Sequence, residues 1–300
     1  MLERLKRIDV KEGWRKAIHI PTAILAPIVV FLFGYAGAEV LCISALAYIF
    51  VTGYFEKRHN IKMPVSSEAF EIASRGKELE FPLAQTLFLI AVLIIAIFLP
   101  FSLTFAALGV LGFGDGAAAL GGMMFGDHKI PYNRKKSVEG SLIGTIVGFI
   151  GAILLGWAGI WFDYTNTAKP LFGLIPQLNG TWMPILILIF GAYLLVLLWI
   201  EIFEFFAKKR YDRRAAFTGI SLSLLIGLAL FGIFLAFGMD TPIFAEALKS
   251  IVAAKAAKLP FVYLVGTISG MIAESAAGKT DNLLVPLVSA GTMVGVLLVV

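Results

Sequence analysis

The stretch 141-SLIGTIVGFIGAILLGWAGIWF-162 decides the fold. It runs for 22 residues without a charged side chain. A helix rises 1.5 Å per residue, so roughly 20 apolar residues cross a hydrocarbon layer about 30 Å thick, and this segment reads as a membrane span. Working outward, similar runs lie at 17–34, 37–55, 82–99, 101–124, 183–206, 215–238, 260–277 and 283–300. Together they predict an all-α, polytopic integral membrane protein with about nine transmembrane helices. Pro100 separates two of these runs with almost no loop. The segment 241-TPIFAEALKSIVAAKAAK-258 places three lysines among small apolar residues and reads as an interfacial helix.

Composition excludes a soluble globule. Hydrophobic residues make up 59% of the 300 and charged residues only 15%, against about 25% charged in soluble domains. The 30 glycines suit helices whose backbones approach closely within a bilayer. Cys42 is the only cysteine, so no intrachain disulfide forms. No linker interrupts the chain, which reads as one membrane-embedded domain over residues 1–300.

The net charge of +5 points to headgroups and orientation rather than to nucleic acid. With these spans, 21 of the 25 Lys and Arg fall on the side of the N-terminus. That bias predicts a cytoplasmic N-terminus and, with nine spans, a C-terminus outside. The host would be the cell membrane, or an ER-type membrane in a eukaryote.

Ionisable residues inside spans are costly, so those present carry the functional reading. Asp115 lies in 112-GFGDGAAALGGMMFGDHK-129, between Gly114 and Gly116, which permit a kink and leave room for a ligand. Its carboxylate suits Mg²⁺, and a buried ion pair is the alternative. Next comes 129-KIPYNRKKSVEGSLIG-144, a basic loop running into a helix start. There Lys135, Lys136 and Ser137 can hold phosphate oxygens, while Gly140 allows close approach; Glu139 and Ser141 enter an apolar helix without a positive-inside explanation.

Three further groups join these. Arg15 and His19 line one side of the first helix start, where His19 either touches phosphate or is a satisfied interfacial side chain. Glu71 and Arg75 make either a plain ion pair four residues apart or a metal and phosphate pair. Glu274, Asp281 and Asn282 offer oxygens at the membrane depth of Asp115, with simple capping as the alternative for Asp281. His128 and His59 read as surface residues in wet loops, and Glu39 as solvated near the outer surface.

The segments RKAIH (15–19), EIASRGKEL (71–79), GDGAAALGGMMFG (114–126), KKSVEGSLIG (135–144) and ESAAGKTDNLLVPL (274–287) resemble the CTP-dependent lipid kinases of the dolichol kinase, phytol kinase and yeast-type diacylglycerol kinase family. The resemblance implies transfer of the γ-phosphoryl group of CTP to the hydroxyl of a membrane isoprenoid alcohol, with Mg²⁺ as cofactor. It implies that Asp115 is the nucleotide–Mg²⁺ residue and that Lys136, Ser137, Glu139 and Gly140 form the nucleotide loop. Asp281 and Asn282 would be their C-terminal partners.

On this reading Asp115 and a second carboxylate, Glu71 or Glu274, hold the metal. Arg15, Arg75 and Lys136 compensate phosphate charge, and Glu139 or Asp281 accepts the hydroxyl proton. The partners are a lipid alcohol, a nucleoside triphosphate and the bilayer; the oligomeric state stays open, a homodimer included. Two rival functions remain: a CTP-dependent cytidylyltransferase making a CDP-lipid, and a secondary transporter with a broken helix at Asp115.

Overall fold

The computed structural model describes residues 19–59, 83–165, 218–227, 229, 243–278 and 280–300. The described residues are about 89% helical. Four of the described helices are long and apolar enough to cross a membrane: Phe101–Phe125, Val138–Tyr164, Ala256–Ala276 and Asp281–Val299. These match the runs at 101–124, 141–162, 260–277 and 283–300. The run at 183–206, most of 215–238, and residues Arg15, Glu71 and Arg75 lie outside the described residues.

In chain order the elements are α1 (His19–His59), α2 (Leu83–Phe98), α3 (Phe101–Phe125), β1 (Lys129–Ile130), β2 (Asn133–Ser137), α4 (Val138–Thr165), α5 (Thr218–Gly227), α6 (Ile243–Ala254), α7 (Leu259–Ala276) and α8 (Asp281–Val299). Within α3 the six residues Val110–Asp115 form a π-helical segment. The runs at 17–34 and 37–55, expected as two spans, form the single 41-residue helix α1. Gly34 and Gly37 mark the expected break, but a glycine costs a helix only about 1 kcal/mol. That is too little to release backbone groups that find no water in an apolar setting. The loop expected at 129–137 contains a small antiparallel ribbon, β1 pairing with β2.

Packing divides the chain into two compact units, whose described residues are 19–28, 90–165, 243–278 and 280–300 in the first and 29–59, 83–89, 218–227 and 229 in the second. In the first unit α3, α4, α7 and α8 pack together, and glycines set their spacing. A Cβ at Gly140 would stand 2.6 Å from the Ala118 carbonyl, at Gly144 2.8 Å from the Gly114 carbonyl, and at Gly151 2.8 Å from the Gly109 carbonyl. Partner numbers fall as α4 advances, so α3 and α4 are antiparallel and touch backbone to backbone. Along α4, Gly144, Gly148 and Gly156 likewise face Met271, Thr267 and Tyr263 of α7, again antiparallel. Gly266 and Gly270 of α7 then meet Met293 and Ser289 of α8. The opposite side of α4 exposes Leu142, Ile146, Ile150, Leu154, Trp157 and Trp161 at helical spacing. A row of that kind suits lipid tails, with the tryptophans at the interface.

Away from the ribbon, polar groups secure helix ends. The Asp163 carboxylate accepts the Phe101 and Ser102 N–H groups at 3.0 and 2.9 Å, capping α3, and Tyr263 Oη donates to the Ser102 carbonyl at 3.2 Å. Lys255 Nζ donates to the Leu297 carbonyl at 2.9 Å and Lys258 Nζ to that of Val300, favourable placements for cations at a helix C-terminus. Helix α6 has 12 residues, about 18 Å of rise, and is too short to cross a bilayer. It buries Ala245, Leu248 and Val252 on one face, as an interfacial helix does.

In the second unit, α1 packs Ser44 against Gly227 of α5, where a Cβ would stand 3.0 Å from Ser44 Cα. Glu39, expected to be solvated, is buried. It lies on the continuous helix α1 beside buried Val40, not at a free span end.

Candidate functional site

Asp115 ends the π-helical segment of α3 and is fully buried. A π segment adds a residue to the turn and shifts the side chains that follow, a distortion common at functional sites. The segment is held on several sides. Gly112 takes the His19 carbonyl of α1 at 3.0 Å from its Cβ position, and Gly114 takes Met271 Sδ at 2.9 Å. His19 Nε2 stands 3.9 Å from Asp115 Oδ2, an ion pair when the imidazole is protonated. His19, expected either to touch phosphate or to be a satisfied interfacial side chain, thus stands against the Asp115 carboxylate.

The ribbon brings in the second group. Lys136, at 25% side-chain exposure, forms an ion pair and hydrogen bond with Oε1 of Glu274, which is 1% exposed. A carboxylate this deeply buried needs a partner, and the ammonium supplies it. The other oxygen, Oε2, is buried and has no hydrogen-bond partner among the described residues. Met271 faces Gly114, and Glu274 lies three residues further along α7. Glu274 and Asp115 are thus within roughly one helical turn, about 5 Å, in depth.

The third group opens α8. Asp281 and Asn282 are buried in its first turn, and Asp281 Oδ1 accepts the Asn282 N–H at 3.0 Å. Both belong to the same end of the unit as Glu274, since α7 and α8 are antiparallel neighbours joined through 277–280. Asp115, Lys136, Asp281 and Asn282 also make polar or electrostatic interactions beyond these.

Several expected phosphate-binding groups also serve local structure. Ser137 Oγ accepts the Gly140 N–H at 3.2 Å and caps α4. Gly140 lets α4 close on α3, with its Cβ position 2.9 Å from Gly122 Cα. Ser141 gives its carbonyl to Thr145 Oγ1 at 2.8 Å. Lys135 is exposed on the ribbon. Gly114 and Gly116 are both buried in α3.

The Glu139 carboxylate turns to the base of the ribbon. It accepts the His128 N–H at 3.0 and 3.2 Å and pairs with His128 Nδ1 at 2.5 Å. This carboxylate raises the His128 pKa above its ordinary 6.5, first through the hydrogen bond and then through its charge. His128 is exposed as expected, yet it is engaged. At the ribbon tip, Tyr132 Oη meets Ser275 Oγ at 2.7 Å and Asn133 Nδ2 donates to the Ser275 carbonyl at 2.9 Å. Sequence reading passes over Tyr132, Asn133 and Ser275, and takes His128 for a plain surface residue. The one available signal is the Pro-Tyr-Asn turn itself.

For Mg²⁺ the chemistry of the donors fits: Asp115 and the unbonded Glu274 Oε2 are hard oxygens of the type magnesium takes. Among the described residues no group of three His, Cys, Asp or Glu clusters closely enough to hold a metal alone. A magnesium ion here would need phosphate or water oxygens to complete its shell, which is its usual habit. No family model, curated protein or solved structure matches this chain.

Proposed function

We propose that the chain is a membrane-embedded kinase that transfers the γ-phosphoryl group of CTP to the hydroxyl of a membrane isoprenoid alcohol of the dolichol, polyprenol or geranylgeraniol type, giving a lipid monophosphate and CDP. The observation that carries this reading is the Lys136–Glu274 pair at about the depth of buried Asp115, towards the end of the unit where buried Asp281 and Asn282 open α8. Buried carboxylates are costly in that setting, and a metal-bound polyanion would use them together with the Lys136 ammonium. The five motif segments support the same assignment. The Lys- and Arg-rich loops at 57–77, 129–136 and 208–214 support a site that faces the cytoplasm.

In this mechanism Lys136 exchanges its contact with Glu274 for a phosphate oxygen, and Arg15 and Arg75 compensate further charge. Bound Mg²⁺, held by Asp115 and Glu274 together with the phosphates, would neutralise charge on the β and γ groups. The alcohol oxygen bonds to the γ phosphorus as the bond from that phosphorus to the bridging oxygen breaks. CDP leaves with the electron pair, and the hydroxyl proton passes to a carboxylate. Glu139 is occupied by His128 at the ribbon base, so Asp281 is the better placed acceptor. The lipid tail lies among the apolar spans, with its hydroxyl at headgroup depth.

Purified protein given CTP labelled in its γ-phosphate and a panel of prenols and diacylglycerol tests this. Label in the lipid with release of CDP supports the kinase. Release of pyrophosphate instead identifies a cytidylyltransferase and overturns the proposal. Asp115→Asn should retain lipid binding and lose metal-dependent transfer.

A further inference from the structure

The ribbon carrying Lys136 is too small to hold itself in place. An isolated two-stranded hairpin is marginally stable at best in water, and β1 here has only two residues. Its base is closed by the His128–Glu139 pair and by the Val138 N–H donating to the His128 carbonyl at 2.9 Å. Its tip has two contacts on α7, both to Ser275, the residue after Glu274. The Ser275 carbonyl lies in the last turn of α7, where carbonyls have no partner within their own helix. Asn133 supplies the missing donor. Tyr132 is 66% exposed as a whole, yet its hydroxyl reaches the buried Ser275 hydroxyl.

We infer that Tyr132 and Asn133 are positioning residues: by docking the ribbon tip on Ser275 they hold Lys136 in reach of Glu274 and of the phosphate that would bind there. The geometry is specific. Lys136 and Asn133 belong to one five-residue strand, and Glu274 and Ser275 are adjacent on one helix end. Fixing Asn133 to Ser275 therefore fixes the strand three residues from Lys136. Without the tip contacts the ribbon would pivot about its base, and the ammonium would sample water instead of the buried carboxylate. The part of this inference that concerns phosphate rests on the kinase reading; the docking of Lys136 does not.

The test separates the two. Lysine reductive methylation of the purified full-length chain, followed by mass spectrometry, reads each ammonium without any ligand. Lys255 and Lys258, bonded to the carbonyls at the end of α8, report the general fold. In Tyr132→Phe/Asn133→Asp, Lys136 should be modified about tenfold faster, as expected from losing two hydrogen bonds, while Lys255 and Lys258 stay unchanged. The single variant Tyr132→Phe should show a smaller rise of the same pattern. Arg134→Gln, on the exposed part of the same strand, should change nothing at Lys136. An unchanged Lys136 rate in the double variant overturns the inference. So does a rise of Lys136, Lys255 and Lys258 together in both variants, because the contacts would then serve the whole fold. In a second arm, Mg²⁺–CTP should protect Lys136 in the wild type and less in the double variant. A wild type that CTP fails to protect, with the first arm as expected, removes the kinase reading and leaves the docking in place.

Discussion

The two ends of the first unit use polar side chains differently. At one end Asp163, Tyr263, Lys255 and Lys258 bond backbone groups at helix ends, which those helices need wherever they are. At the other end Lys136 bonds Glu274, His128 bonds Glu139 and His19 approaches Asp115, side chain to side chain. Backbone capping is complete in itself. A buried, charged carboxylate such as Glu274, with one oxygen unbonded, is not, and this difference separates a structural end from a site.

Breaking the Lys136–Glu274 pair gives the largest expected effect. Lys136→Met leaves a buried carboxylate uncompensated and should destabilise the protein by roughly 3 kcal/mol in reversible unfolding. Adding Glu274→Gln should recover most of that, because both charges then go together. Recovery that fails would mean the pair is not the unit described. Gly140→Ala drives a methyl into the Ala118 carbonyl and the Gly122 backbone, so a loss of about 2 kcal/mol is expected from the same measurement. At the structural end, Asp163→Asn weakens the double cap of α3 by about 1 kcal/mol. Phosphoryl transfer should be unaffected there, and a loss of transfer at unchanged stability would blur the comparison.

The smallest effect is a pH dependence at the ribbon base. The folded-state pKa of His128 lies above its ordinary 6.5, so its pairing with Glu139 is fully present below that value. It is lost as pH rises through the raised pKa. The pH at which the His128 imidazole signals titrate in an NMR experiment should therefore lie above 6.5 in the wild type and return towards it in Glu139→Gln.

The four long helices can be read from the sequence because an apolar run without charge has few other stable states in water or lipid. Asp115, Lys136, Glu274 and Asp281 can be singled out for the converse reason: charge in such runs needs a cause. What the sequence hides depends on partners far along the chain. Tyr132 meets Ser275 143 residues later, and Asp163 caps a helix start 62 residues earlier. No local pattern marks either pairing. The continuity of α1 is hidden for a different reason: glycine is a strong stop only where water can take over the freed backbone groups.

The most direct test of the contrast between the two ends is ligand-induced stabilisation. The thermal midpoint is measured with and without saturating Mg²⁺–CTP for wild type, Asp115→Asn and Asp163→Asn. At a hundredfold excess over Kd, binding contributes about 2.7 kcal/mol, or a rise of roughly 5 °C for a chain of this size. Wild type and Asp163→Asn should both show that rise, and Asp115→Asn should show none. An equal rise in Asp115→Asn, or none in the wild type, would contradict the assignment of the nucleotide site to the Asp115 end.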